Sequence, residues 1–491
     1  MSLSSALESA KSAVSTASTQ TSIVSRNVAN VNSTTATRKI VNVTTAANGG
    51  SQIVTVTRAT NSTLFRNMLD ANASVGASGA LLDGLDRLQG TIGDTDDENS
   101  PAALIGVLGD ALTAYSVDPS NSQLARNAVQ SAQDIVSRLN EASGVVASIR
   151  QDADNDIAGA ANDMNKLLAQ FQQLNEKIIR GTRSNTDVTD MADQRDQIVV
   201  QLSNYIGVTA RTRGDNDMVL YTDSGVTLFE NVPRKVEYTK TVPLTPGVPG
   251  NVFRIDGVAV TGDNSTMPLK SGKIAGLMAL RDNVANTYQA QLDQIAGALV
   301  RAFAETDQTA SGLPTKAGLF TSASAMYLPD LSTASSAVPA GLAGTLKVAD
   351  GAYATPSLIR DGGFNGVSYV QNGGASAPTG FAGRINGFIA NLSSTRSFDT
   401  AATELDATTT LANFATASVG WLSAMRSNAT SEAEYKSTLL DRTQETLSNA
   451  TGINLDDEMT HLLDLEHSYQ ASAKLIAAIN QMLDTLLETN F

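Results

Sequence analysis

The organisation of this chain is most visible in the stretch LDDEMTHLLDLEHSYQASAKLIAAINQMLDTLLETNF at residues 455–491. It contains no proline and no glycine, and its apolar residues recur at spacings of three and four, which predicts one long amphipathic helix. The apolar positions form two neighbouring stripes. One stripe is Met459, Leu462, Glu466, Tyr469, Ala473, Ile476, Asn480, Leu483 and Leu487, and the other is Leu465, Ser468, Ser472, Leu475, Ile479, Met482 and Leu486. Together they are wider than a two-helix seam requires, so we expect this helix to contact more than one partner.

The first 31 residues carry a matching pattern. Small and apolar residues alternate at spacings of four and three over four repeats, with one polar exception at Thr21. These residues are Leu3, Leu7, Ala10, Val14, Ala17, Thr21, Val24, Val28 and Val31. A repeat of this kind is typical of a coiled-coil seam. It predicts an N-terminal helix that pairs with the helix at 455–491.

The charges at the two ends are opposite in sign. Residues 1–68 hold six bases and one acid, whereas residues 443–491 hold eight acids and one base. Exposed ion pairs contribute only about 0.2–1 kcal/mol each, so burial of the stripes must supply most of the stability and the charges should select partner and orientation. The expected complementary residues are Lys11, Arg26 and Arg38 on the basic side and Asp464, Glu466 and Asp484 on the acidic side.

The overall composition excludes several classes of protein. The chain has 491 residues, a net charge of −15 and no cysteine. Its acidity argues against general nucleic-acid binding, and the missing cysteines exclude disulfides and thiolate metal sites. No run approaches the roughly 18 apolar residues of a membrane span, so no membrane insertion is expected. The first residues also lack the pattern of a cleavable signal peptide.

The distribution of proline and glycine predicts a nested plan, because helical patterns occupy both ends and turn-rich segments the middle. The predicted fold class is α+β, mainly α, and elongated, with the terminal helices in a coiled coil, a long helical bundle and β-rich insertions. Four units are expected: a terminal coiled coil (1–60 with 450–491), a helical bundle (61–206 with 265–310 and 405–449), a small β-rich subdomain (207–264) and an outer β-rich insertion (311–404).

No residue pattern indicates catalysis or a bound ion. His461 and His467, the two histidines, lie six residues apart and cannot face one metal from a single helix. Asp152, Asp154 and Asp156 begin like a calcium loop, but Ile157 replaces the required glycine, so we interpret them as a polar helix face. No nucleophile, phosphate-loop or dinucleotide motif occurs. The sequence therefore predicts no enzyme activity, no cofactor and no metal.

Several segments resemble the bacterial flagellar rod and hook axial proteins. VSRNVANVNSTTATRK at 24–39 is similar to the family's N-terminal motif through Asn27, Val28, Ala29, Asn30 and Asn32, although Ala36-Thr37 stands where the family has Gly-Tyr. SYQASAKLI at 468–476 resembles its C-terminal helix. The middle segments DQRDQIVVQLSNYIGV (193–208), SGKIAGLMALRD (271–282) and YQAQLDQIAGAL (288–299) are similar to the hook-associated members of the family.

The resemblance implies a structural adaptor at the hook–filament junction that assembles as a tier on the distal end of the hook. It implies export through the flagellar type III apparatus to an extracellular location. The implied partners are further copies of the chain, the hook protein, the second hook–filament junction protein and an export chaperone. The implied assembly residues are Leu3, Leu7, Val14, Val24, Asn27, Val28, Asn30, Met459, Leu462, Tyr469, Ile476, Leu483 and Leu487. Two alternatives stay open: a hook or rod protein of the same family, or a secreted adhesin that binds through its β insertion.

Overall fold

The computed structural model describes residues 3–33, 35–45, 50–92, 98–322, 338–373 and 377–488. The helices in these ranges are α1 (Leu3–Ala29), α2 (Ser62–Ile92), α3 (Pro101–Val117), α4 (Ser122–Arg183), α5 (Thr189–Tyr205), α6 (Lys273–Met278), α7 (Ala285–Ala302), α8 (Leu342–Thr345), α9 (Asp350–Ala354), α10 (Leu358–Asp361), α11 (Gly383–Ser393), α12 (Thr400–Thr403), α13 (Leu411–Thr451) and α14 (Leu455–Glu488). A π-helical turn at Ala279–Val284 joins α6 to α7. The mainly helical α+β class predicted from the sequence is confirmed.

The strands of the described residues form small antiparallel sheets. They are β1 (Lys39–Thr45), β2 (Ser51–Arg58), β3 (Val208–Thr212), β4 (Met218–Thr222), β5 (Thr227–Phe229), β6 (Val236–Glu237), β7 (Arg254–Ile255), β8 (Val258–Ala259), β9 (Phe320–Ser322), β10 (Leu346–Val348), β11 (Thr395–Ser397) and β12 (Thr408–Thr410). β1 pairs with β2 in a hairpin, β3-β4-β5 and β6-β7-β8 form three-stranded sheets, and β9 pairs with β10 and β11 with β12. All of these pairings are antiparallel.

The longest helix, α4, is the scaffold of the molecule. Its 62 residues extend over about 90 Å at 1.5 Å per residue. The Asn121 side chain accepts hydrogen bonds from the Gln123 and Leu124 backbone N–H groups and so caps the first turn. Arg180 and Arg183 lie in the last turn, where the helix dipole favours cations. A continuous buried stripe from Ala125 to Ile178 packs α3, α5, α7 and α8 against this scaffold.

Two positions where α2, α5 and α6 meet require glycine, because the backbones of these helices approach one another closely. A Cβ atom added at Gly276 would lie 2.2 Å from the Ala77 carbonyl oxygen. One added at Gly76 would lie 2.3 Å from the Asn204 carbonyl oxygen. Separations this short are far inside van der Waals contact, so only glycine allows α2 to pack this closely on its neighbours.

The main hydrophobic core lies between Met68 and Ala429. Among the residues that the structure describes, none from 3–60 or 452–488 belongs to it. The chain exposes 23446 Å² of surface, whereas a compact protein of 51.2 kDa exposes about 17,000 Å². The large excess of surface indicates an extended molecule. None of the described helices is long and apolar enough to cross a membrane.

The prediction of a β-rich insertion at 311–404 is wrong for the part of it that is described. More of these residues belong to helices, of which α11 is the longest, than to β9, β10 and β11. Residues 323–337 and 374–376 of the insertion lie outside the described residues. The error arose because short apolar runs separated by glycine and serine suit a one-turn helix as well as a strand. The four domain boundaries stay a prediction.

Candidate assembly interface

α1 and α14 pack side by side as an antiparallel pair. Asn27, near the C-terminal end of α1, donates a hydrogen bond to Glu458 in the first turn of α14. From this contact α1 extends back toward the start of the chain and α14 extends toward its end. The two helices can therefore touch along their lengths only if they run in opposite directions. We call α1, β1, β2 and α14 the terminal unit, and the described residues between 61 and 451 the body.

The α1 side of this pair is built from small residues. Its buried positions are Ala10, Thr16, Ala17, Ile23, Val24 and Asn27. Of the residues that the sequence assigned to the interface, Val24 and Asn27 are buried, and Leu3, Leu7, Val14, Val28 and Asn30 are half-buried. The β hairpin covers part of α1, because the Thr16 hydroxyl donates to the Ser51 carbonyl oxygen at 3.3 Å. Small side chains let the elements of the terminal unit approach closely.

The α14 side draws on both predicted stripes rather than on one. Leu465 and Ile479 are buried, and Leu462, Ser472, Ile476 and Leu483 are half-buried. Within the predicted first stripe, Met459, Tyr469 and Leu487 are 43%, 48% and 66% exposed, so within the chain they are not seam residues. The buried and half-buried positions follow one another at spacings of three, four and seven, as in a coiled-coil seam, and this seam runs between the two predicted stripes.

The pair leaves a large apolar surface uncovered. Leu455, Leu463, Leu475, Met482 and Leu486 are each 43–56% exposed. Toward the end of the helix, Ala478, Gln481, Met482, Thr485 and Leu486 line a shallow depression. Leu475, Met482 and Leu486 lie on one side of the helix at seven- and four-residue spacing, and exposed apolar side chains clustered in this way are typical of a surface that binds another molecule.

The predicted ion pairs between α1 and α14 are not formed within the described residues. Lys11 is exposed and has no anionic partner there, and Asp464, Glu466 and Asp484 have no cationic one. These charged residues lie outside the seam. The apolar and small residues of the seam bring the two helices together, and the charged side chains remain on the flanks, where they do not meet. The prediction of charge pairing along the helices is corrected on this point.

The other two predicted cations are paired, but with different carboxylates. Arg26 lies 2.8 Å from Asp187 and 3.4 Å from Asp190 in the body. Arg38 lies 2.6 Å from Glu458 at the start of α14. The opposite charges of the two chain ends therefore meet at the base of the terminal unit instead of along it.

Asn27 organises this base. Its Nδ2 donates to the Lys39 carbonyl oxygen at 2.9 Å and to Glu458 Oε2 at 3.0 Å. The Lys39 backbone N–H donates to Asn27 Oδ1 at 3.0 Å. Arg38 Nε donates to the second carboxylate oxygen of Glu458 at 2.6 Å. Asn27 and Glu458 are both 1% exposed, so one amide side chain joins α1, β1 and α14 away from water.

Four aspartates, one just before α5 and three in its N-terminal half, face three cations of the terminal unit. The aspartates are Asp187, Asp190, Asp193 and Asp196, which we call the carboxylate ladder, and the cations are Arg26, Lys39 and Arg58. Each cation lies between two successive carboxylates. Lys39 Nζ contacts Asp193 and lies 3.4 Å from Asp190, and Arg58 lies 2.9 Å from Asp193 and 2.7 Å from Asp196. The ladder thus fixes the terminal unit on the body through alternating charges.

The centre of the ladder is buried. Lys39 is 4% and Asp193 6% exposed. The Thr37 hydroxyl donates to Asp193 Oδ1 at 2.7 Å, so Thr37, which stands where the family motif has tyrosine, contributes a hydrogen bond to the ladder. Burial lowers the pKa of Arg58, but the carboxylates of Asp196 and Asp193 outweigh burial and hold that pKa above its ordinary value. The ion pairs and hydrogen bonds of the ladder compensate for the removal of these groups from water.

Other motif residues stabilise the body. Arg195 is 2% exposed and donates to Asn175 Oδ1 at 2.7 Å and to the Asn216 carbonyl oxygen at 2.6 Å. Burial lowers the pKa of Arg195 to about 10. Arg281, at the π-helical turn, is fully buried and lies 2.7 Å from Asp154 of α4. Arg195 and Arg281 belong to the middle segments that resemble the family, and their contacts hold α4, α5 and α6–α7 together.

The calcium-like aspartates lie inside α4, as the departures from a calcium loop predicted. Asp154 does not belong to a polar face, however, because it is fully buried beside Arg281. Asp152 pairs with Arg87 at 2.5 Å. Across the described ranges, no group of three or more acidic or histidine side chains is arranged to hold a metal ion.

Family models identify both the middle and the end of the chain. Residues 85–320 match the flagellar hook-associated protein FlgK helical domain. Residues 444–489 match the flagellar basal body rod FlgEFG protein C-terminal region. The chain carries the helical domain of the flagellar hook-associated protein family. It is accordingly a structural component of the bacterial flagellum.

Individual members of the hook-associated family are distant relatives. Flagellar hook-associated protein 1 of Bacillus subtilis (strain 168) is 21% identical over 452 residues, which is 85% of this chain and 81% of that protein. The solved structure of the flagellar hook junction protein FlgK from Burkholderia pseudomallei is similar with a TM-score of 0.42 and 24% identity. That match spans 52% of this chain and 46% of the solved one.

Reasoning from the sequence missed Lys39, Glu458 and the carboxylate ladder. A signal for the ladder is present, because DVTDMADQRD at 187–196 places an aspartate at every third position. Lys39 and Arg58 gave no comparable signal. Their register across the β hairpin, where Lys39 lies opposite Arg58, brings them to the same place only once the hairpin has formed.

Proposed function

We propose that this hook-associated chain is the adaptor at the hook–filament junction and assembles as a tier of identical subunits on the distal end of the hook. The observation that carries the proposal is the terminal unit, whose antiparallel helices leave Leu475, Met482 and Leu486 exposed along one side. A single subunit cannot cover this surface. Neighbouring copies, packed around a common axis, supply the missing contacts.

The match at 85–320 favours a junction protein over a hook or rod protein. The C-terminal model is that of a rod protein, and the terminal helices resemble those of rod and hook proteins alike. The hook-associated helical domain is the discriminating part, and it covers α4, α5 and the sheets that follow them. Nothing in the comparisons supports the adhesin alternative.

The partners follow from this position. The tier contacts the hook protein on its proximal side and the second hook–filament junction protein on its distal side. Before assembly, an export chaperone binds the exposed apolar surface of α14 and shields it from water. The subunit leaves the cell through the flagellar type III apparatus and is extracellular. No catalytic role is proposed.

A substitution experiment tests the assembly role. Leu475, Met482 and Leu486 are replaced together by serine, which removes the exposed surface and leaves the buried Leu465 and Ile479 seam intact. The matched control replaces Tyr435 and Leu439, exposed residues of α13, by serine. We expect the first variant to be exported without forming filaments, and the control to behave as the unmodified chain.

The position of the protein in the flagellum provides a second test of the proposal. Because the chain lacks cysteine, one cysteine introduced at an exposed position allows specific fluorescent labelling on intact cells. The proposal requires a single label at the boundary between hook and filament. Label along the whole hook, or normal filaments from cells that carry only the triple-serine variant, contradicts it.

A further inference from the structure

We propose that Asn27 and Glu458 couple the pairing of α1 with α14 to the docking of the terminal unit on the body. According to this proposal, Lys39 forms its full set of contacts with the carboxylate ladder only when Glu458 is hydrogen-bonded to Asn27. Glu458 itself touches no residue of the ladder and acts through Asn27. The inference concerns the mechanics of one subunit and does not depend on where that subunit sits in the flagellum.

The joint between the terminal unit and the body is polar. No described residue of the terminal unit belongs to the main hydrophobic core. The main side-chain contacts across the joint are those of Arg26, Lys39 and Arg58 with the carboxylate ladder and of Thr37 with Asp193. Smaller polar contacts join Thr35 to Gln197, Arg26 to Thr189, Asn185 to the Val54 carbonyl oxygen, and the Arg38 backbone N–H to the Thr451 carbonyl oxygen. These contacts are polar, and the main hydrophobic core does not extend across them among the described residues. The orientation of the joint depends on whether each charged group is correctly placed.

Lys39 is the central charged group of the joint. Its ammonium group must be placed more accurately than the guanidinium groups of Arg26 and Arg58, because it is the most deeply buried of the three cations. Its side chain is almost fully buried between Asp190 and Asp193. A buried ammonium group that misses its carboxylates is strongly destabilising, so the docked state requires the Lys39 backbone to be fixed. Both backbone polar groups of Lys39 are hydrogen-bonded to the side chain of Asn27.

Glu458 in turn holds Asn27 in place. The amide Nδ2 of Asn27 is shared between the Lys39 carbonyl oxygen and Glu458 Oε2. The second oxygen of the same carboxylate accepts from Arg38, the residue before Lys39. When α14 leaves α1, Asn27 loses a charged acceptor and Arg38 loses its only ion-pair partner within the described residues. The position of Lys39 then depends on its bonds to a less restrained Asn27 and on the backbone bonds of Arg38, whose N–H donates to the Thr451 carbonyl oxygen at 2.9 Å.

The consequence is a two-state joint. With α1 and α14 paired, the contacts from Glu458 through Asn27 to Lys39 and Asp193 are complete and the terminal unit is held at one angle to the body. With the helices apart, the contact of Lys39 with Asp190 and Asp193 is weakened, and the outer ion pairs of Arg26 and Arg58 hold the angle less narrowly. Pairing of the helices in an assembly thereby sets the direction in which the body projects.

Two nitroxide pairs in the full chain test this coupling. Ser18→Cys on α1 and Gln201→Cys on α5, both exposed positions, report the distance between terminal unit and body. Ser18→Cys with Ser468→Cys, exposed on α14, reports the pairing of the helices. The variants are Glu458→Ala, Asp193→Asn and their combination. The control is Asp464→Ala, which removes an exposed carboxylate of the same helix that has no ion pair among the described residues.

The expected results follow from the direction of coupling. The unmodified chain and Asp464→Ala give a narrow distribution for the first distance, and both Glu458→Ala and Asp193→Asn lose that narrow peak. The combined variant is no broader than either single variant, because both break the same set of contacts. Asp193→Asn keeps the second distance narrow.

Three results overturn the inference. They are a narrow first distance in Glu458→Ala, an additive effect in the combined variant, and a first distance that is already broad in the unmodified chain. If Glu458→Ala broadens the second distance but leaves the first narrow, pairing and docking are independent, and the inference is equally wrong.

Discussion

Asn27 and Glu458 are joined by a hydrogen bond of 3.0 Å although 431 positions separate them in the chain. The contact closes the molecule into a nested plan, with the first and last helices paired and everything between them projecting from the base of that pair. Both residues are almost fully buried. A charged acceptor in such a place is stabilising only while its donors are present.

Replacing Asn27 by alanine should destabilise the terminal unit selectively. The change removes the partners of both backbone polar groups of Lys39, and a loss of about 2–3 kcal/mol is expected. Native-state hydrogen exchange of α1 amides measures it. Asn30→Ala is the matched control, because the Asn30 side chain donates one hydrogen bond, to the Arg26 carbonyl oxygen, and its loss should cost about 1 kcal/mol or less. Equal effects of the two changes would rule out a special role for Asn27.

Charge reversal should act at the base of the pair and not along it. Arg38→Glu places two carboxylates together at a buried site, because Arg38 pairs with Glu458 at 2.6 Å, and about 3 kcal/mol of stability should be lost. Adding Glu458→Arg should restore part of this loss. Lys11→Glu, at an exposed site, should change little. Denaturant unfolding monitored through α1 checks all three, and an effect of Lys11→Glu as large as that of Arg38→Glu is the contrary result.

The seam and the exposed face of α14 should respond differently to truncation. Leu465 is 6% exposed and Leu475 is 51% exposed. Leu465→Ala should destabilise the helix pair by about 2–4 kcal/mol through lost packing. Leu475→Ala should leave the subunit's stability nearly unchanged and weaken polymerisation. Unfolding of the subunit and sedimentation of the polymer separate the two effects, and loss of subunit stability in Leu475→Ala would place Leu475 in the seam.

Gly276 should not tolerate alanine. The added Cβ would meet the Ala77 carbonyl oxygen at 2.2 Å, so α2 and α6 would have to separate and the midpoint of unfolding should fall sharply. Gly79 on α2 has open space at its Cβ position. Gly79→Ala should therefore stabilise the body by about 0.5–1 kcal/mol, since alanine loses less entropy in a helix. A neutral Gly276→Ala would show that these helices can shift apart at no cost.

Asp293 should make the body more stable in mild acid than at neutral pH. Its carboxylate accepts from the backbone N–H groups of Gly341 and Ala343 at 2.7 and 2.8 Å. Burial raises its pKa from 3.8 to about 6. Because the folded state binds this proton more tightly than the unfolded chain, the contribution is complete below pH about 4 and is lost as pH rises through about 6. It amounts to about 3 kcal/mol.

Asp293→Asn removes this titration. Unfolding free energies measured between pH 4 and pH 7 should fall less steeply in the variant than in the unmodified chain. Asp110→Asn, which removes an exposed carboxylate of α3, is the control and should follow the unmodified chain. Identical slopes for Asp293→Asn and the unmodified chain would contradict the assignment.

Much of the architecture could be predicted from the helical spacing of the apolar residues. The N-terminal repeat from Leu3 and the stripes from Met459 predicted two terminal helices, and α1 and α14 occupy those positions. The region at 311–404 was predicted wrongly, because runs of three or four apolar residues do not distinguish a strand from a helical turn. A long periodic segment repeats the same spacing over many residues, so its secondary structure is well determined, whereas a short run contains too few repeats to distinguish a helix from a strand.

The sequence by itself determined that the ends of this chain are amphipathic helices of opposite charge, because the periods of the apolar residues and the signs of the charges are local properties. Only the tertiary structure decided which apolar residues form the seam, and that the cations at the base meet Glu458 and the carboxylate ladder. Those choices depend on how closely two helices approach and on the register of a hairpin. Both are set by contacts between residues that lie far apart in the sequence.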